Sequence, residues 1–495
     1  MDNSYTISAL DKRQIDKGLR ISIYEGSFAA IFTALTTGPF LAGYAIFLGA
    51  NDFQLGLVAA FPFLAQAFQL LGALGVEKFK QRKRFNLFGS ILFRSIFLIF
   101  VFLPFFPQDQ RVKTGIFLLF LSLSAAIANL VSVAWLSWMS DLVSEERRGR
   151  YFGLRNTVLG FITMGANFGG AKIIDYLRAD PIEVKSHLPD FVNRYLEQNP
   201  AGFAFSFIFI LAVLSAWAAA YFLIRQPEPK MVLHPEVSLR STLKIPLSDK
   251  NFRRLIYFFI YWSFVTGISA PFWSPHMLKN LHLDFYLISL FSILAGVISL
   301  FMQPLWGRAI DRYGNKPVMA FNISFIFLIP FLWLFATPRF IFPLWMDAIM
   351  GGVFWSGFNL ASFNVVLALS PQQGRVYYLA AVAAINGLVL FLAATLGGII
   401  AQHLSSFKFV FQGQTLVNFH ILFVISGFGR IFGLLFLKKL FEPKSRPARE
   451  MIEELGDSFF NRVTLGRETW TLVNWARSTF TFKKKNNQNL SRMDP

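Results

Sequence analysis

The sequence predicts an all-α polytopic membrane protein whose twelve transmembrane helices form two six-helix bundles. Apolar runs recur from end to end of the 495 residues, each close to the ~20 residues that a bilayer requires. Only 15 % of the residues are charged against 54 % hydrophobic, and 60 are Phe; a soluble chain would carry about a quarter charged. One polar stretch, 225–250, with Pro227, Pro229, Pro235 and Pro246, divides six apolar runs from six.

Residues 1–20 form a mixed-charge tail ending in Arg20, without the short apolar core and cleavage site of a signal peptide, so the first span is expected to stay as an anchor. The first bundle occupies 21–224, with spans at about 22–48, 53–75, 85–106, 114–138, 151–176 and 202–224. Span 1 carries Thr36-Thr37-Gly38-Pro39 near its middle. A Gly-Pro pair there weakens the backbone ladder, which neighbours or a cavity must re-satisfy. After the 225–250 linker the second bundle fills 251–440, with spans at about 253–275, 285–306, 318–337, 341–368, 376–402 and 416–437. The tail 441–495 is strongly basic and carries Leu, Phe and Trp among its charges. It reads either as partly helical on a lipid surface or as disordered with short helices.

The net charge of +19 could suggest a nucleic-acid partner, but its placement excludes one. Most Lys and Arg fall in the two tails and every second loop, and few basic residues, Arg94, Lys172 and Arg430 among them, lie inside the spans. That is the positive-inside pattern, placing both termini in the cytoplasm of a multi-pass protein in the cytoplasmic (inner) membrane, its basic face against anionic lipid. There is no cysteine and hence no disulfide or thiolate metal site. The six His lack metal-ligand spacing, and neither H-E-x-x-H nor G-x-S-x-G occurs, so no enzyme and no cofactor are expected.

The most informative stretch is Gly307 to Pro317, G-R-A-I-D-R-Y-G-N-K-P, between two apolar runs. A charged glycine-rich hairpin must sit at a membrane face, because lipid cannot satisfy its backbone. It is not a phosphate-binding loop, which needs four residues between its glycines and a following Lys-Ser/Thr. The spacing resembles the loop signature of the major facilitator superfamily, G-x-x-x-D-R-x-G-x-[RK]-[RK], in Gly307, Asp311, Arg312, Gly314 and Lys316, with Pro317 replacing the last basic residue. The run Trp135 to Asn156, W-L-S-W-M-S-D-L-V-S-E-E-R-R-G-R-Y-F-G-L-R-N, resembles a segment of bacterial members of unassigned substrate, in which Ser144 is more often Pro.

The halves echo each other. Glu77-Lys78 ends span 2 as Asp311-Arg312 ends span 8, and Gly149-Arg150-Tyr151 opens span 5 as Gly374-Arg375-Val376-Tyr377 opens span 11. A parallel duplication about an axis along the membrane normal follows. The first loop copy is degraded, with Ala73 and Lys80 at its glycine positions.

The resemblance implies two bundles rocking about a central cavity, lined by spans 1, 4, 7 and 10, with spans 3, 6, 9 and 12 facing lipid. It also implies a cytoplasmic latch. Asp311 would meet the start of span 5, where a carboxylate gains ~0.3–1 kcal/mol from the helix dipole. Arg312 and Lys316 would pair with Glu145, Glu146 or Asp141, and Glu77 would make a twin latch at the start of span 11. No Pro follows a glycine in span 5, so the family's antiporter signature is absent.

Ionisable residues inside spans are functional hypotheses by default. Glu25 in span 1 is a candidate coupling carboxylate, or else the partner of Arg20 or another interface cation. Asp347 in span 10 is a candidate for substrate contact or proton coupling. Lys172 and Asp175, three apart, are expected to pair with each other. Arg94 and Arg430 should point inward as structural residues. Asn129 and Asn359 could bind substrate or bond between helices. Trp262 and Trp355 could wall a cavity, while Trp273 reads as interfacial. The expected function is secondary active transport of a small solute by alternating access, coupled to a proton, by a monomer among membrane lipids. Two alternatives stay open: efflux of amphipathic compounds, and a non-transporting membrane sensor or scaffold.

Overall fold

The computed structural model describes residues 11–69, 71–72, 81–179, 199–229, 239–371, 375–411, 414–443, 445–447 and 450–451. Among them, eleven helical segments are long and apolar enough to cross a membrane. They are span 1 (Arg13–Phe47), span 3 (Arg82–Phe105), span 4 (Gln110–Leu142), span 5 (Arg147–Arg178), span 6 (Pro200–Arg225), span 7 (Lys250–Lys279), span 8 (Phe285–Tyr313), span 9 (Asn315–Phe335), span 10 (Phe342–Leu369), span 11 (Tyr378–His403) and span 12 (Asn418–Lys438). Span 2 is the helix Asp52–Leu64, prolonged by the 3-10 turn Ala65–Ala67. Its expected end, with Glu77 and Lys78, lies outside the described residues.

Several spans break where the sequence weakens the ladder. Span 1 is two helices, Lys12–Thr36 and Gly38–Phe47, joined at an extended Thr37. Gly38 has φ +58°, a left-handed backbone that glycine adopts at no steric cost, and Pro39 starts the second helix. Thr36 and Thr37 donate their hydroxyls to Phe32 O and Thr33 O at 2.7 and 2.8 Å. In span 7 the helix Lys250–Gly267 stops before the turn Ala270–Phe272, which contains Pro271. The carbonyl of Val265 is taken up by Ser426 Oγ of span 12 at 2.6 Å. This is the re-satisfaction that a broken helix at membrane depth requires.

Each bundle has its own apolar core. In the first, Tyr44 is fully buried among Phe100, Phe117, Phe205 and Phe209 and donates its hydroxyl to Phe100 O at 2.7 Å, as a buried phenol must find an acceptor. In the second, Phe258, Trp262, Trp306 and Phe358 interlock. Two features break the expected pattern. The linker contains a helix, Leu239–Ser248, and a two-stranded antiparallel hairpin, Lys408–Phe411 with Gln414–Val417, joins spans 11 and 12.

The ends of each bundle on the basic face, which carries Arg82, Asp141 and Asp311, are tied within the bundle. Arg82 is fully buried and donates to Asp141 Oδ2, Ser137 O and Pro229 O. In the second bundle Gly314 has φ +92°, turning the chain from span 8 into span 9. Glu442 then accepts the N–H groups of Asn315 and Lys316 at 3.1 and 2.8 Å, satisfying donors that a helix start leaves free. Lys316 Nζ donates to Lys438 O and Leu440 O at the end of span 12.

Candidate functional site

A cavity of about 880 Å³ lies in the second bundle, lined from spans 7, 8, 9, 10 and 12. Span 10 shapes it. Five residues, Gly351–Trp355, form a π-helical turn between Phe342–Met350 and Ser356–Leu369. Every fourth residue of an α-helix drifts by about 40° around the axis, and a wider π turn takes part of that drift back. Asp347, Gly351, Trp355 and Asn359 therefore all line the same cavity. Gly352 permits the approach of span 8, for a Cβ there would lie 2.6 Å from Ala295 O.

Among the described residues, two charged ones line this space, Asp347 and Arg430. The Arg430 side chain is buried, its Nη1 donates to Ile326 O at 3.2 Å, and its guanidinium carbon lies 5.6 Å from the Trp355 ring centre. Arg430 Nε is buried without an acceptor. The walls are aromatic (Trp273, Trp333, Trp355, Phe291 and Phe363), and the polar groups include Gln303, Asn359, Ser292 and Ser299. Trp273 stacks on Phe423 at 4.0 Å and leans on Trp333 at 4.7 Å.

The bundles are joined on the far face, opposite the basic one. Asp52 at the start of span 2 accepts from Lys279 Nζ of span 7 and from Asn418 Nδ2 of span 12, both at 2.7 Å, while its own N–H donates to Gln402 Oε1. Asp175 at the end of span 5 accepts the N–H groups of Phe285 and Tyr286 at 3.1 and 2.6 Å. It thus supplies a carboxylate to the start of span 8, where the helix dipole favours negative charge. Gly56 and Gly398 let spans 2 and 11 touch by backbone, since a Cβ on Gly398 would lie 3.0 Å from Phe53 O. Toward the basic face the seams part. Asp311 is exposed, and a Cβ on Gly149, Gly153, Gly160 or Gly307 would meet open space.

Broken helices wall a cavity in the second bundle, and the two bundles are tied together at the far face. The family model for the Major Facilitator Superfamily matches residues 24–345 and again 263–482. The chain belongs to the Major Facilitator Superfamily. It is a multi-pass membrane transport protein, not an enzyme, and the two-bundle fold of the superfamily accounts for its spans. Solved structures of the same fold include the nucleoside transporter NupG, 15 % identical, with 85 % of this chain and 98 % of that one covered and a TM-score of 0.61. A D-xylose-proton symporter is 16 % identical, with 86 % and 97 % covered and a TM-score of 0.62. A bacterial homologue of the human lysosomal transporter Spinster, inward-facing and occupied, is 12 % identical, with 88 % and 100 % covered and a TM-score of 0.64. No curated protein matches the sequence.

Among the described loop residues, Lys316 is held within its own bundle and Asp141 pairs with Arg82. Arg150 is exposed, and Arg375, which opens the span 11 helix, buries its Nε without an acceptor.

Other candidates divide between the cavity and the packing. Asp347, Asn359 and Trp355 line the cavity; Trp262 packs behind Trp355 at 6.0 Å. Asn129 accepts from Gln69 Nε2 at 3.0 Å, a bond between spans 4 and 2. Glu25 is buried in the first bundle, 3.6 Å from Arg155 Nη2, rather than paired with Arg20. Arg155 in turn lies over Trp135, and the buried Arg94 over Phe32 and Phe93.

Three expectations are corrected. Lys172 and Asp175 do not pair: two free N–H groups of span 8 take the carboxylate, and Lys172 sits over the rings of Phe168 and Tyr286. Trp273 is a cavity wall rather than an interfacial anchor. Arg430 belongs to the cavity rather than to packing alone, because span 12 turns its charged face inward. The sequence signal for Arg430 was an arginine at mid-span, where facing lipid would cost several kcal/mol.

Proposed function

We propose that the chain is a secondary active transporter that carries a small solute across the cytoplasmic membrane by alternating access, coupled to a proton. The observation that carries this reading is the one-sided seal. Asp52 and Asp175 tie the bundles together at the far face, while the basic face stays apart. Under the positive-inside rule the basic face is cytoplasmic, so this conformation is open inward. The solute site is the cavity of the second bundle, with Asn359, Gln303 and the tryptophans contacting cargo, and Asp347 is the proton-carrying group. The superfamily loop, Asp311 with Arg312, engages span 5 when the basic face shuts. The D-xylose-proton symporter of the same fold supports the proton as coupling ion.

The aromatic walls also favour amphipathic cargo, whether taken up or expelled. Proteoliposomes with an imposed pH gradient test the reading. Asp347→Asn should lose gradient-driven accumulation while still exchanging solute across the membrane. Undiminished accumulation in that variant removes Asp347 from the coupling role.

A further inference from the structure

Resting on that reading of the cavity, we propose that its cargo is an organic anion, a carboxylate-type group on an aromatic or apolar body, whose charge is received by Arg430.

The charge inventory decides the sign. Arg430 and Asp347 are the charged residues among those lining the cavity. A guanidinium stays protonated in proteins, whereas a carboxylate can be neutralised by one proton. The cavity is therefore neutral when Asp347 is ionised and carries one positive charge when it is protonated. In neither state is it negative. A cationic solute would add a second positive charge to a low-dielectric space and leave Arg430 Nε unserved. An anion answers both needs, since that buried Nε lacks an acceptor and burying a charged donor without its hydrogen bonds is costly. A planar carboxylate matches the guanidinium fork.

The first bundle repeats the bias. Its buried Glu25 stands against two buried cations, Arg94 and Arg155. The faces of Trp273, Trp333 and Trp355 supply the apolar complement.

Charge balance then couples the proton. With Asp347 ionised, the described lining carries no net charge. A bound anion is balanced when Asp347 takes one proton from the medium, and both leave together on the other side, with no covalent bond made. Arg430 of span 12 and Trp333 of span 9 share the cavity lining with Asp347. Beyond Trp333 lie His276 of span 7, at 6.0 Å from its ring, and His420 of span 12, at 4.7 Å from His276. Span 8 contributes no titratable residue to the lining.

The test uses the purified full chain and three probes on one skeleton: phenylacetate, phenethyl alcohol and phenethylamine. Binding is read by tryptophan fluorescence and thermal shift. The expected result is binding of phenylacetate in preference to the other two, weakened roughly 10- to 100-fold in Arg430→Gln, the loss of a charge-assisted contact, and partly restored in Arg430→Lys. Asp347→Asn, which leaves the cavity permanently positive, should bind phenylacetate at least as tightly as the unaltered chain, and without dependence on pH. Should Arg430→Gln fail to fold, the probe ranking and Asp347→Asn still decide. Equal or tighter binding of the amine or the alcohol, no binding of phenylacetate, or weaker phenylacetate binding by Asp347→Asn overturns the anion assignment. The transporter reading is judged separately by the ligand-free accessibility of the far-face seam described below, so the two can fail independently.

Discussion

Replacing Asp52 by Ala should unlock the far face. Its two carboxylate oxygens hold Lys279 Nζ and Asn418 Nδ2 at 2.7 Å each, and its side chain is 8 % exposed. A hydrogen bond to a charged group contributes about 1.5–3 kcal/mol. The Lys279 side chain is 35 % exposed, so its share is discounted for solvent screening, and the pair together stabilises the sealed seam by about 2–3 kcal/mol. At 1.4 kcal/mol per factor of ten, the population open at the far face should rise roughly 30- to 140-fold. The chain contains no cysteine, so a single introduced thiol reports cleanly. Ser292→Cys places one in the cavity wall on span 8. The rate of its alkylation by a membrane-impermeant maleimide added outside intact cells should rise by that factor in the Asp52→Ala background. Lys279→Ala should reproduce part of the effect, and the double variant should be less than additive, since the two residues share one contact. An unchanged rate would mean that this seam is not the outer gate, and would remove the main support for alternating access between these bundles.

The remaining predictions concern the same seams. Asp175→Ala strips the carboxylate from the start of span 8 and should cost about 1–2 kcal/mol of sealed-state stability, read as faster outside labelling at the same thiol; no change would make the Asp175 contact incidental. Gly398→Val should push spans 2 and 11 apart, because its Cβ would stand 3.0 Å from Phe53 O and 3.2 Å from Phe53 Cα. The expected result is a lower melting temperature with faster outside labelling, and a stability equal to that of the unaltered chain would contradict the close approach. Asp311→Asn should leave the melting temperature of the protein nearly unchanged, within about 0.5 kcal/mol as for an exposed residue, yet slow turnover in proteoliposomes. Normal turnover would dismiss the cytoplasmic latch.

Local chemistry explains what could be read from the chain alone. Run length and charge placement are properties of short windows, and lipid enforces them span by span. The eleven apolar spans among the described residues therefore overlap their expected bounds, and span 1 breaks at Gly38-Pro39. Asp347, Asn359 and Trp355 could be singled out because a charged, amide or indole group inside an apolar run needs a reason to be there. The helix inside the linker and the hairpin after span 11 gave no comparable signal, being short and of mixed composition.

Partnership is a different matter, because it depends on which helix ends meet. Lys172 is three residues from Asp175, yet the carboxylate is taken by backbone donors 110 and 111 residues away. Glu25 found Arg155 rather than Arg20, and Asp52, unremarkable at the mouth of span 2, became the hub of the far face through residues 227 and 366 positions distant. Arg430 moved from packing to cavity because the rotation of span 12 about its own axis is set by the helices around it. By itself, then, the sequence determined a twelve-span carrier scaffold, its two halves and its basic face, since each follows from polarity along the chain. The charge pair of the cavity, the seal at the far face and the open basic face were decided by tertiary structure alone, because contacts between helices far apart in sequence depend on how the bundles pack.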